Sequence, residues 1–161
     1  MSRRNTRLAA MVGLITLAAD QASKVWATAT LAPGREVSVI SGWVWFRRLS
    51  NSGATLGLLS GNNWLFIVVS LVIVLAVGIL VVRSDVAGPL GVAALGAIAG
   101  GAFSNLVDRI RLGSVTDFIE VHLWPTDFNL ADAAIRIGVV LFVLALLFER
   151  GRRQPLPRAS R

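Results

Sequence analysis

The feature that most constrains this chain is where it carries no charge. Residues 64–82 run for 19 positions without Asp, Glu, Lys or Arg, and residues 86–107 run for 22. About 20 apolar residues in a helix cross the roughly 30 Å hydrocarbon core of a bilayer. Two further stretches are nearly as apolar. One covers residues 8–31 and is interrupted by Asp20 and Lys24; the other covers 131–149 and opens with Asp132 and Arg136. With 55% hydrophobic residues and a mean hydropathy of +0.69, the chain is too apolar for an ordinary soluble domain. The expected fold is a mainly α membrane protein, a single domain over residues 1–161 with four transmembrane helices at about 8–31, 64–82, 86–107 and 131–149.

The net charge of +7 raises nucleic-acid binding as a possibility, but its placement argues against it. Arg3, Arg4 and Arg7 precede the first span, Arg83 follows the second, and Arg150, Arg152, Arg153, Arg158 and Arg161 follow the fourth. These are 9 of the 16 basic residues, and four spans put all of them on one side of the membrane. The positive-inside rule makes that side the cytoplasm, with both termini in it and the basic tail 150–161 near anionic lipid. Basic residues, an apolar run and "ATA" at 27–29 imitate a cleavable leader, but Asp20 and Lys24 cut the run before that site. There is no cysteine, which excludes disulfides, thiol catalysis and Cys-ligated metals.

Two segments then lie outside, at 32–63 and 108–130. In "REVSVISGWVWFRRL" large apolar residues alternate around a turn at Ser41 and Gly42, which predicts a small extracytoplasmic β-hairpin with Trp43 and Trp45 at headgroup level. "NSGATLGLLSGNN" places Leu56, Leu58 and Leu59 among glycines, the pattern of a short interfacial amphipathic helix or flap, or of an ordinary loop. "SVTDFIEVHLW" also alternates. Val115, Asp117, Ile119, Val121 and Leu123 share one row, and Ser114, Thr116, Glu120 and His122 share the other. A carboxylate in an apolar row is desolvated, which raises its pKa.

Ionisable residues in spans default to a functional hypothesis. Here Asp20, Lys24, Asn105, Asp108, Arg109, Asp132 and Arg136 gather at the outer ends of their spans, and Asn51 and Asp117 lie in the outer segments. A transporter needs polar groups near the midplane or on both sides. A single histidine and no HExxH leave no zinc motif, and there is no G-x-S-x-G nucleophile. Two aspartates, Asp117 and Asp132, remain. Brought together they can share one proton, so that one activates water while the other donates to a carbonyl, with no cofactor and no metal. Residue patterns alone leave open two structural aspartates at element ends, in a non-enzymatic transporter or assembly factor.

Four boxes reach further. "DQASK" at 20–24, "NSGA" at 51–54, "GGAFSNLVDRIRLGSVTDF" at 100–118 and "FNLADAAI" at 128–135 resemble, in order, those of lipoprotein signal peptidase, signal peptidase II. The resemblance implies a four-helix aspartic peptidase of the bacterial inner membrane, with a β-cradle and a short covering helix near 55–61 over an active site at the outer face. It implies a substrate, the signal peptide of a diacylglyceryl-modified prolipoprotein, cut just before the lipid-bearing cysteine. By motif match Asp117 and Asp132 are catalytic, and Asp20, Lys24, Asn51, Gly53, Asn105, Asp108, Arg109, Asn129 and Ala131 bind substrate or support the site. Membrane lipid is the other partner; a monomer is expected, with no nucleic acid. Ser104 departs from the family, which usually has glycine there; serine is small enough to keep close helix packing, and its hydroxyl can also bond the preceding turn. Arg136, four residues after Asp132, is expected to angle away from it, toward headgroups or another acid.

Overall fold

The computed structural model describes residues 3–53, 61–83 and 88–153. The elements are α1 (Arg3–Thr30), β1 (Glu36–Ile40), β2 (Val44–Asn51), α2 (Asn63–Arg83), α3 (Gly88–Leu112), β3 (Val115–Val121) and α4 (Leu130–Arg153). All four helices are long and apolar enough to cross a membrane. The expected covering helix at 55–61 lies outside the described residues except for Gly61, as does the tail from 154.

Helix α3 is central: α1, α2 and α4 each pack along it. Its small residues explain why. Hydrocarbon solvent gives helices no hydrophobic reason to associate, so close backbone approach at glycine and alanine supplies the attraction. A Cβ on Gly96 would come within 2.5 Å of the Ala9 carbonyl oxygen, and one on Gly100 would collide with the backbone of Gly13. On the other flank, a Cβ on Gly101 would lie 2.7 Å from the carbonyl oxygen of Ala131 in α4. Against α2 the contact is of larger side chains, with Val77 packed on Leu95 and Ile98. Most of the large apolar side chains of α2 and α4, such as Val72, Leu75, Val140 and Leu147, are exposed, which suits a lipid-facing surface.

The hairpin forms as expected. Trp43 N–H donates to the Ile40 carbonyl at 2.9 Å, closing a turn in which Gly42 takes φ 75°. It is part of something larger, an antiparallel sheet of order β1-β2-β3. The expected two-row reading of the 114–124 segment needs correction. Val115, Thr116, Asp117 and Phe118 are all buried, so β3 starts covered on both faces. The row expected to be polar carries Phe118, which packs with Ala27 and Leu31 from the end of α1 and stacks edge-on against Phe46 and Trp26. That contact fixes the sheet to the bundle. The third helix runs past the expected 107, to Leu112, and Asp108 and Arg109 sit on its final turns, at the end of the span where they are expected.

Candidate active site

The sheet and the bundle meet around a cavity of about 170 Å³. Of the sequence-identified residues, Asn51, Gly53, Asn105, Arg109, Asp117 and Asp132 line it. Asp20, Lys24, Asp108, Asn129 and Ala131 are not in its wall; they stand behind it, in a buried polar layer.

Strand register places Asp117. Asn51 pairs with Val115, so Asp117, two residues on, is Asn51's diagonal neighbour on the same face. Asn51 Nδ2 donates to Asp117 Oδ2 at 2.9 Å. The other oxygen is reached from α4. Phe128 is tied to β3 by three backbone bonds, to Phe118 and Ile119, which sets the next residue, Asn129, against Asp117. Asn129 Nδ2 donates to Asp117 Oδ1 at 2.7 Å. Its own Oδ1 accepts the Asp132 N–H at 2.9 Å, which makes Asn129 the N-cap of α4. One buried amide therefore begins the helix that carries one aspartate and holds the other.

Asp132 has a single side-chain donor. Asn105 Nδ2 donates to its Oδ1 at 2.8 Å, the Asn129 backbone N–H lies near the carboxylate, and no side chain among the described residues bonds its Oδ2. The three asparagines share a pattern. Each amide oxygen is occupied by a group that can only donate: Gly53 N–H for Asn51, Lys24 Nζ for Asn105 and Asp132 N–H for Asn129. Each NH₂ is thereby turned on an aspartate.

Burial, and next the Asp132 carboxylate, raise the pKa of Asp117 from 3.8 to about 7; the donors from Asn51 and Asn129 and the charge of Lys24 oppose this and do not prevail. Arg109 bonds neither aspartate. Its Nη2 donates to the Gly53 carbonyl at 3.0 Å, its guanidinium lies 4.5 Å over the Phe66 ring, and it ties the residues after β2 to α3.

Behind the wall, Asp20 is wholly buried. Its Oδ1 accepts the Ala131 N–H of α4 at 2.8 Å, and its Oδ2 accepts from Ser104 Oγ and Lys24 Nζ, both at 2.7 Å. Ser104 is small enough to leave α3 close to α1, and its hydroxyl crosses to Asp20 there instead of bonding the preceding turn of its own helix. Arg136 turns toward two aromatic rings rather than toward another acid. Its guanidinium sits 5.4 Å from the Trp124 and Phe128 rings, and no salt bridge joins it to Asp132 among the described residues. It nevertheless lines the cavity.

Sequence reasoning missed Gln21, which donates to Asp108 Oδ1 at 2.9 Å and Ser104 Oγ at 3.0 Å. A polar side chain adjoining Asp20 at span depth was a usable signal. It also missed Phe66 and Asp127 in the cavity wall. Arg47 holds Asp127 through Nη2, at 3.2 and 2.9 Å to its two oxygens, so that carboxylate is committed away from the pair.

Comparison with known proteins turns this geometry into a family assignment. A family model described as "Signal peptidase (SPase) II" matches residues 12–148, nearly the whole described chain. The chain belongs to the signal peptidase II family. The lipoprotein signal peptidase of Syntrophomonas wolfei is 40% identical over 141 residues, covering 88% of this chain and 93% of that one. That of Pelotomaculum thermopropionicum is 36% identical, covering 83% and 87%. A solved bacterial membrane enzyme matches the fold with a TM-score of 0.84 and 26% identity, covering 92% of this chain and 93% of that one. As a signal peptidase II the chain is a multi-pass bacterial membrane protein and an aspartic peptidase that removes signal peptides from prolipoproteins.

Proposed function

We propose that Asp117 and Asp132 are the catalytic dyad, and that cleavage falls just before a cysteine already carrying diacylglyceryl. The observation that carries this reading is that both carboxylates line one cavity and each is held there by an asparagine NH₂. Charge balance supports it. Apart from Asp127, which is paired with Arg47, four carboxylates (Asp20, Asp108, Asp117, Asp132) and three cations (Lys24, Arg109, Arg136) sit in or directly behind the wall, giving 3 − 4 = −1 when all are ionised. One proton on the dyad makes the cluster neutral, the favourable state beside hydrocarbon.

In this reading Asp132 is the base and Asp117 the acid. The open Oδ2 of Asp132 takes a proton from water as the water oxygen bonds to the scissile carbonyl carbon, and Asp117, protonated, donates to the carbonyl oxygen. The resulting gem-diol collapses when the cysteine nitrogen takes the proton from Asp132 and the C–N bond breaks. A diol proton then returns to Asp117, restoring the starting state. Phe66 of α2 and Arg136 of α4 both line the cavity, while α2 and α4 pack on α3 rather than along one another. The gap between them offers a lipidated signal peptide a path from the bilayer, so its acyl chains need not leave lipid. Basic termini on the other side of the bundle fit an active site at the outer face and cytoplasmic termini.

Asp117→Asn and Asp132→Asn should each abolish cleavage of a diacylglyceryl-modified prolipopeptide while melting as cooperatively as wild type. An asparagine keeps the shape and cannot exchange the proton. Turnover by either variant at more than a few per cent would remove that residue from the dyad.

A further inference from the structure

The buried layer contains a lysine whose arrangement has a direct consequence at the cavity. Lys24 is 5% exposed, and its ammonium has three N–H donors. It has three acceptors: Asp20 Oδ2 at 2.7 Å, Asp108 Oδ2 at 2.9 Å and Asn105 Oδ1 at 2.8 Å. Every donor is used, so the ammonium has no alternative orientation to adopt. Both carboxylates are held from elsewhere as well, Asp20 by Ser104 and Ala131, and Asp108 by Gln21 and the Thr116 N–H.

Asn105 is the outlet of this arrangement. An ammonium cannot accept a hydrogen bond, so only the amide oxygen of Asn105 can face Lys24. The NH₂ must then point the other way, where Asp132 Oδ1 accepts it at 2.8 Å. With Oδ1 taken by Asn105, Oδ2 is the oxygen without a side-chain donor, and it is the one presented to water. We infer that Lys24 is a positioning residue for cleavage: acting through Asn105, it fixes which oxygen of Asp132 is presented to the substrate. The inference rests on the dyad reading above. The charged groups around Asp132 are Lys24 from α1, Arg109 from α3, Arg136 on its own helix and Asp117 from β3. Of these, Lys24 is the one bonded to the amide that Asp132 accepts from. A salt bridge with Asp20 alone would make Lys24 a spacer between helices. The third bond gives it a directional role.

The test is a double-mutant cycle in detergent micelles, measuring kcat and KM per folded molecule on a diacylglyceryl-modified prolipopeptide for Lys24→Met, Asn105→Ala and the double variant. Each single change should lower kcat at least about tenfold with KM within about twofold, the pattern of a lost transition-state orientation. The double variant should lose no more than the worse single one, because both changes break the same relay. Losses that multiply, or full kcat in Lys24→Met, overturn the inference. Should Lys24→Met fail to insert, Asn105→Ala decides: it leaves Lys24 its two carboxylates and removes the donor to Asp132 without adding a charge. Wild-type kcat in folded Asn105→Ala overturns the relay, and a tenfold loss of kcat with KM within about twofold and wild-type melting supports it. Asp132→Asn runs in the same assay. Turnover there removes the relay's end point along with the dyad, whereas a dead Asp132→Asn beside a multiplicative cycle removes the relay alone.

Discussion

Asp117 shows how a carboxylate can be kept protonated near neutrality. It accepts two amide donors, which favour the ionised form, yet burial and the neighbouring Asp132 outweigh them and bring it to about 7. The sign of the stability effect follows. The folded pKa lies above the ordinary 3.8, so the folded state holds this proton more tightly, and stability falls as pH rises from about 4 through about 7. Asp117→Asn has no such dependence. Its melting temperature relative to wild type should therefore shift in the variant's favour between pH 5 and pH 8, by the equivalent of a few kcal/mol at most. Melts in detergent at the two pH values measure this, and a constant difference would mean that Asp117 is ionised throughout. If Asp117 is the acid, as proposed, cleavage should decline above about pH 7 for the same reason, since its proton is lost there. Much of this was legible in the residues: a carboxylate among Val115, Ile119 and Val121 already reads as desolvated. The two amides on Asp117 were not, because Asn51 and Asn129 lie 66 and 12 residues away from it and meet it only through register and a helix cap.

At the level of elements, one face of α3 sets the site. Gly96, Gly100, Ser104 and Asp108 recur every four residues, so they form a single row. The first two let the α1 backbone in, and the last two meet its polar end at Asp20, Gln21 and Lys24. Close approach at one end is thus the condition for hydrogen bonding at the other. Gly100→Leu should push α1 away, cost stability on the scale of a few kcal/mol and lower activity with it. Gly78→Leu is the control. It sits on α2 with open space where its Cβ would go, and should leave both nearly unchanged. Equal melting temperatures in the two variants would show that α1 and α3 do not pack on the glycine row. The helices were legible because a bilayer demands length and apolarity, which any window of sequence displays. The alternation of the third strand was legible too, but its partner was not, since β2 and β3 pair across two intervening helices and the pairing has no local signature. The role of Lys24 was half visible: Asp20 four residues earlier shows, whereas Asp108 and Asn105 arrive from another helix.

For the whole molecule, orientation is directly measurable, because the chain has no cysteine of its own. A single cysteine at the exposed Ser38→Cys in β1 should react with a membrane-impermeant maleimide in intact spheroplasts, and one at Ser160→Cys only after permeabilisation. The reverse pattern would invert the proposed topology. The bundle is also unevenly fastened. The polar bonds at the sheet end join α1, α3, α4 and β3 to each other, and α2 joins them there through Asn63 and the Phe66 ring on Arg109, with Val77 packed on Leu95 and Ile98 further along. Among the described residues the polar bonds of the buried layer thus link α1, α3 and α4, and α2 stands beside it. In the proposed reading such a division suits a processing enzyme: variation among leader sequences would fall against α2, while the bond to be cut would meet the pair of aspartates held by the other elements, so breadth of clientele and constancy of the cut site would come from different parts of one small machine.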